Sequence, residues 1–210
     1  MRTLALACAV LSLLILGAAT LAGSALYPDY DHLRQFISEL GASGAPHGPH
    51  ISLAFIVSGA LLTIFWLLCA ALFPRSPLSL IGFGLCALNG LGLMFGGVFP
   101  CDFECETGAS LTGVLHELLG GLGYLGGVAG IFLIGLAARR WPDGRGLFIL
   151  SLICGVPAAC VVWLVHPGFH WLGVSQRILE TAFAVWAAGV AFGLHRLTEH
   201  RPATPPPVSP

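Results

Sequence analysis

Six long apolar runs decide what this chain can fold into. They cover roughly residues 4–27, 51–73, 78–99, 114–138, 146–165 and 176–197. A helix needs about 20 mostly apolar residues to cross the hydrocarbon core of a bilayer. In lipid every backbone N–H and C=O must be paired inside the protein, which leaves only helices and closed barrels. Barrel strands are about 10 residues long and alternate apolar with polar positions; these runs do neither. The expected fold class is therefore all-α, an integral membrane bundle of six transmembrane helices. The chain is 9% charged, against about 25% for a soluble domain. Its formal net charge of -1 offers no basic surface for nucleic acid. No repeat relates the two halves. Residues 1–197 read as one transmembrane domain, and the proline-rich end "RPATPPPVSP" makes 198–210 a disordered cytoplasmic tail.

Arginine supplies all the basic charge, and arginines are retained on the cytoplasmic side during insertion. With six alternating spans, Arg2, Arg75, Arg139, Arg140, Arg145, Arg196 and Arg201 share one side, and Arg34 and Arg177 take the other. Both termini are then cytoplasmic, in a cell (plasma) membrane. The first run also has features of a signal peptide: Arg2, an apolar stretch, and small residues in "LAGSALY". It is longer than the about 7–15 residues of a signal-peptide core, so it is read as a span.

This orientation sends most acids and histidines to the outer side. Insertion does not constrain acids, which accounts for the loop carboxylates. It accounts less well for His116, Glu117 and Glu180, which lie at or within helix ends. Ionisable residues inside a span are costly and mark candidate sites. Gln176, Arg177 and Glu180 are three and four apart, hence neighbours on one helix face, and Arg177 could pair with Glu180. Asn89 is the only asparagine, deep in the third run. Helix–helix hydrogen bonding is its commonest use. Gly123 with Gly127, and Gly126 with Gly130, form GxxxG pairs, and the third run is equally rich in glycine. Both patterns point to close packing of spans three and four.

Five cysteines lie in the runs and behave as small apolar residues. Cys101 and Cys105 lie in the outer loop "FPCDFECETG", where an oxidising exterior permits a disulfide; a thiolate metal site is the rival. His166 and His170, in "HPGFH", and His116 are candidate metal ligands, with Glu39 or Asp102 beside them in an open zinc site. Histidines that merely cap helices and meet water are the plainer reading. No cofactor follows from any motif.

Taken together, "YPDYDHLRQFISELGASGAP", "GGVFPCDFEC" and "SQRILE" resemble the prokaryotic membrane family called domain of unknown function 998. The first-loop turn is also similar to that of the eukaryotic Frag1/DRAM/Sfk1 group, some of whose members act in lipid remodelling. The first resemblance implies six spans and singles out Ser38, Glu39, Gly41 and Pro46 in loop one. It also singles out Pro100, Cys101, Asp102 and Cys105 in loop two, then His116, Gln176 and Arg177.

Three functions are compatible with these residues. The first is a protein whose outward-facing polar pocket binds membrane lipids or a protein partner, with Ser38, Gln176, Arg177 and Glu180 as ligand contacts. The second is an enzyme acting on a lipid or lipid-linked substrate at the outer leaflet. There Glu39 or Asp102 would be the general base, His116 a proton shuttle or metal ligand, and Arg177 a phosphate clamp; no G-x-S-x-G nucleophile motif is present. The third is a small-solute transporter, with Pro157 breaking span five. In each, the turn of loop one brings Glu39 to face Asp102, His116 and Arg177.

Overall fold

A computed structural model describes residues 1–108 and 110–199, the last four by backbone alone. It contains six long helices, and no strand occurs among the described residues. They are α1 (Arg2–Leu26), α2 (Gly48–Leu72), α3 (Pro77–Val98), α4 (Leu111–Ala138), α5 (Arg145–Val161) and α6 (Leu172–Glu199). All six are long and apolar enough to cross a membrane, α5 with its 3₁₀ extension to Leu164. The proposed disordered tail falls on residues outside the described part from 200 onward.

The helices begin earlier than the apolar runs because polar and proline residues, not greasiness, start them. Pro49 and Pro77 occupy the first turns of α2 and α3, where a missing N–H costs nothing. Ser76 and Ser79 form a reciprocal capping box on α3, and Ser110 accepts from the Gly113 N–H to cap α4. Pro157 does not break α5. The helix continues to Val161 and tightens into a 3₁₀ turn, Val162–Leu164.

Each helix packs on the next in chain order, and α6 returns to α1, closing a ring. A close seam joins α3 to α4. A Cβ built on Gly92 would lie 2.9 Å from the Gly123 Cα, and one on Gly123 would lie 3.0 Å from the Gly92 Cα. The backbones touch there because neither residue has a side chain. Between α1 and α2, buried Ser12 and Ser58 exchange hydroxyl-to-carbonyl hydrogen bonds of 2.9 and 2.8 Å. Toward the end that carries Arg2, Arg75 and Arg139, one core cluster includes Ala5, Cys8 and Ala9 of α1 with Trp186 and Val190 of α6. Toward the other end the bundle is hollow.

Candidate functional site

The loop between α1 and α2 lies as a strap across that hollow end, and its polar groups hold it to α6. The Val174 N–H donates to Leu33 O at 3.2 Å. Arg177 Nη1 donates to Gln35 O and Gly173 O, both at 3.0 Å. Its Nη2 reaches the Tyr30 hydroxyl at 2.8 Å and His32 Nδ1 at 3.2 Å. Tyr30 in turn donates to Phe36 O at 2.7 Å. On the far side, Ser52 Oγ donates to Gly41 O and the Ser43 N–H to Cys101 O.

Glu39 sits inside the strap, on a 3₁₀ turn, Ser38–Gly41. Its Oε1 accepts from the Phe36 N–H at 2.8 Å and its Oε2 from Gln35 Nε2 at 2.8 Å. Burial pushes its carboxyl above the ordinary value, and those two donors partly offset the rise. In the second loop Cys101 and Cys105 are joined as a disulfide with Cα atoms 5.0 Å apart. Asp102, beside it, accepts from the Ser110 N–H at 3.0 Å, next to Gly113. Glu39 and Asp102 both serve backbone N–H groups, and neither lines the space beneath.

That space is a cavity of about 670 Å³ between α1, α3, α4 and α6, within the size range of small-ligand sites. One wall, from α1, is mostly apolar: Leu13, Leu16, Gly17 and Leu21, with the hydroxyls of Thr20 and Ser24 among them. Leu21 is 72% exposed, so the rim opens within the span, onto lipid. The opposite wall carries Ser38, Asn89, His116, Tyr124, Gln176, Arg177 and Glu180. Three of these, Gln176, Tyr124 and Glu180, sit on a hydrogen-bonded file that starts at the Ile37 backbone. The Ile37 N–H donates to Gln176 Oε1 at 2.6 Å, Gln176 Nε2 to the Tyr124 oxygen at 2.8 Å, and the Tyr124 hydroxyl to Glu180 Oε1 at 2.8 Å.

His116 Nδ1 lies 2.8 Å from Phe99 O and 3.2 Å from Gly96 O. Carbonyls only accept, so Nδ1 carries the proton, and Nε2 is left as the acceptor of the neutral ring. His166 is near the rim, its Nδ1 accepting from the Gly168 N–H at 3.1 Å, while His170 packs edge-on against Trp171 away from the cavity. The three histidines are not gathered. No group of three His, Cys, Asp or Glu able to hold a metal ion occurs among the described residues. Arg177 does not pair with Glu180.

This arrangement of six spans, strap and cavity covers almost the whole chain, and residues 6–193 match the family described as "Protein of unknown function (DUF998)". The chain belongs to that family. No curated protein and no solved structure matches it. Within this DUF998 protein, Ser38, His116, Gln176, Arg177 and Glu180 meet at one cavity, as residues singled out in the sequence. Tyr124 was not among them, although it links Gln176 to Glu180. Its signal was present: it is one of three tyrosines, half-buried in mid-span, where a hydroxyl requires a partner. It also lies two helical turns below His116 on the same face of α4.

Proposed function

We propose that this DUF998 protein binds an amphiphile of the membrane, a lipid or lipid-like molecule, in the cavity beneath the strap. The strap end then faces outward and the arginine end faces the cytoplasm, as insertion rules favour, in the plasma membrane. The observation that carries the reading is the division of one cavity into a mostly apolar wall on α1, polar only at Thr20 and Ser24, and a wall on α3, α4 and α6 that carries the amide and ionisable side chains. An amphiphile entering from the bilayer past Leu21 meets hydrocarbon on one side and hydrogen-bonding groups on the other. The enzyme reading draws less support, because the two loop carboxylates that would act as base are occupied by backbone N–H groups.

The test is the lipid content of detergent-purified protein. Wild type is expected to carry about one amphiphile per chain. Gly17 and Gly121 line the cavity, and a Cβ on either meets nothing within 4 Å. The double variant Gly17→Leu/Gly121→Leu fills the space and should emerge empty yet folded. Equal lipid content in wild type and variant would sink the proposal.

A further inference from the structure

We propose that the floor of the cavity is a site for a protonated amine: the bound amphiphile carries a cationic amine headgroup, seated between Glu180 and Asn89. The inference rests on the amphiphile-binding reading and adds the sign and chemistry of the headgroup.

The polarity of the hydrogen-bonded file comes first. A backbone N–H can only donate, so the Ile37 N–H fixes Gln176 Oε1 as its acceptor. The Gln176 amide is thereby oriented with Nε2 toward the Tyr124 oxygen. Tyr124, already accepting, directs its proton to Glu180 Oε1. Every link runs from donor to acceptor toward Glu180, the arrangement that favours a carboxylate at its end. Glu180 Oε2 has no hydrogen-bond partner among the described residues.

The protein supplies no cation to balance that carboxylate. Arg177 is three residues away on the same helix, but its terminal nitrogens are spent on Gln35 O, Gly173 O, the Tyr30 hydroxyl and His32. No ion pair includes Glu180 among the described residues. Eight residues beyond Leu172, Glu180 lies about 12 Å below the helix start at 1.5 Å per residue, well inside the span. An unpaired charge at such depth is expensive, so a ligand that brings the opposite charge gains what the protein leaves open.

Asn89 supplies the independent observation. It is 9% exposed, lines the cavity, and makes no hydrogen bond among the described residues. Its amide opens onto the cavity, where its donors and its oxygen are available to a ligand. It also lies level with the file. A Cβ built on Gly127 would fall 3.1 Å from the Asn89 Cβ, and one on Gly123 would fall 3.6 Å from its Cα, and these glycines bracket Tyr124. An ammonium offers several donors, one for Glu180 and another for the Asn89 carbonyl oxygen. A phosphate or carboxylate would meet Glu180 as a like charge and find the donors of Arg177 already engaged.

Equilibrium dialysis of the full chain in maltoside micelles tests this with three probes of equal chain length: octylamine, octanol and octanoate. An alkylamine is charged at pH 7, as lysine is with a pKa of about 10.4. Wild type should retain octylamine at least about tenfold better than octanol, and octanoate least, as expected for a paired against an unpaired buried charge. Glu180→Gln keeps the acceptor for Tyr124 and should bring octylamine down to the octanol level. Asn89→Leu should weaken octylamine several-fold. Equal retention of the three probes, or octylamine unaffected by Glu180→Gln, overturns the amine site. In that case octanol still lost on Gly17→Leu/Gly121→Leu leaves the amphiphile cavity standing. If no probe responds to that double variant, the cavity reading itself fails.

Discussion

The strap and the cavity floor contain the same kind of group, a glutamate held by amide and hydroxyl donors, and use it in opposite ways. Glu39 is 5% exposed and has a donor on each carboxylate oxygen. Glu180 has one oxygen filled by Tyr124 and the other facing a cavity. The first lattice is closed and gives stability. The second is open and leaves bonding capacity for something else. A polar residue near a membrane site can receive a ligand only with the donors and acceptors that the protein has not already paired.

If the strap is closed, breaking its hub should be the most damaging change. Arg177 bridges α6 to Gln35 and Tyr30 through hydrogen bonds from a charged donor. Arg177→Ala should cost about 2–4 kcal/mol after allowing for its partial exposure, seen as a lower midpoint in thermal unfolding in detergent. Arg177→Lys should rescue little, because a single ammonium cannot reach acceptors spread around a planar fork. A stable, lipid-retaining Arg177→Ala would mean that the strap is held by apolar packing and that the contrast drawn here is false.

Next in size is Asp102. It holds the start of α4 by accepting from the N–H of the cap residue Ser110, so Asp102→Ala should cost about 1 kcal/mol, the usual net worth of such a hydrogen bond. Asp102→Asn, which keeps an acceptor, should cost less. Neither should alter octylamine retention, since Asp102 does not line the cavity. A loss of binding without a loss of stability would return Asp102 to the site.

How much of this was readable in advance follows the same division. The six helices were legible because each must hide its backbone from lipid, a demand that writes itself into every residue of a span. Their starts were less so, since Pro49, Pro77, Ser76 and Ser110 begin helices outside the apolar runs. Gln176, Arg177, Glu180 and His116 could be picked out because polar groups in spans are conspicuous. The duties of Glu39 and Asp102 could not, because a loop carboxylate looks the same whether it faces water or a backbone N–H. Pairing Gln176 with Tyr124 needs the approach of α6 to α4 across the ring, which no local pattern encodes.

Glu39 gives a smaller effect with a definite sign. Burial holds its carboxyl above the ordinary 4.5, so the folded chain keeps that proton more tightly than the unfolded chain. Stability contributed by Glu39 is present at low pH and falls as pH rises from about 4.5 through the raised value. Glu39→Gln, neutral at every pH, should flatten this part of the profile, though it forfeits one of the two accepted hydrogen bonds. Melting temperatures of both proteins between pH 4 and 8 check it. A wild-type profile that climbs with pH over that window, and loses the climb in the variant, would show that the Phe36 and Gln35 donors outweigh burial.

The smallest expected change in stability should accompany a large change in binding, and this separates the two regions most cleanly. Gly121 is exposed on the cavity rim with open space where a side chain would grow. Gly121→Leu should therefore leave unfolding unchanged to within about 0.5 kcal/mol, as substitutions away from packed or paired groups usually do. It should still exclude the amphiphile, because a leucine side chain occupies volume that the ligand needs. Gly92, on the next helix, has no such room: a Cβ there meets the Gly123 Cα at 2.9 Å. Two glycines of neighbouring membrane helices thus serve different ends, one letting backbones touch and the other keeping a space empty. If Gly121→Leu unfolded the protein as Gly92→Leu should, the cavity would be a packing surface and the open lattice at Glu180 would have nothing to receive.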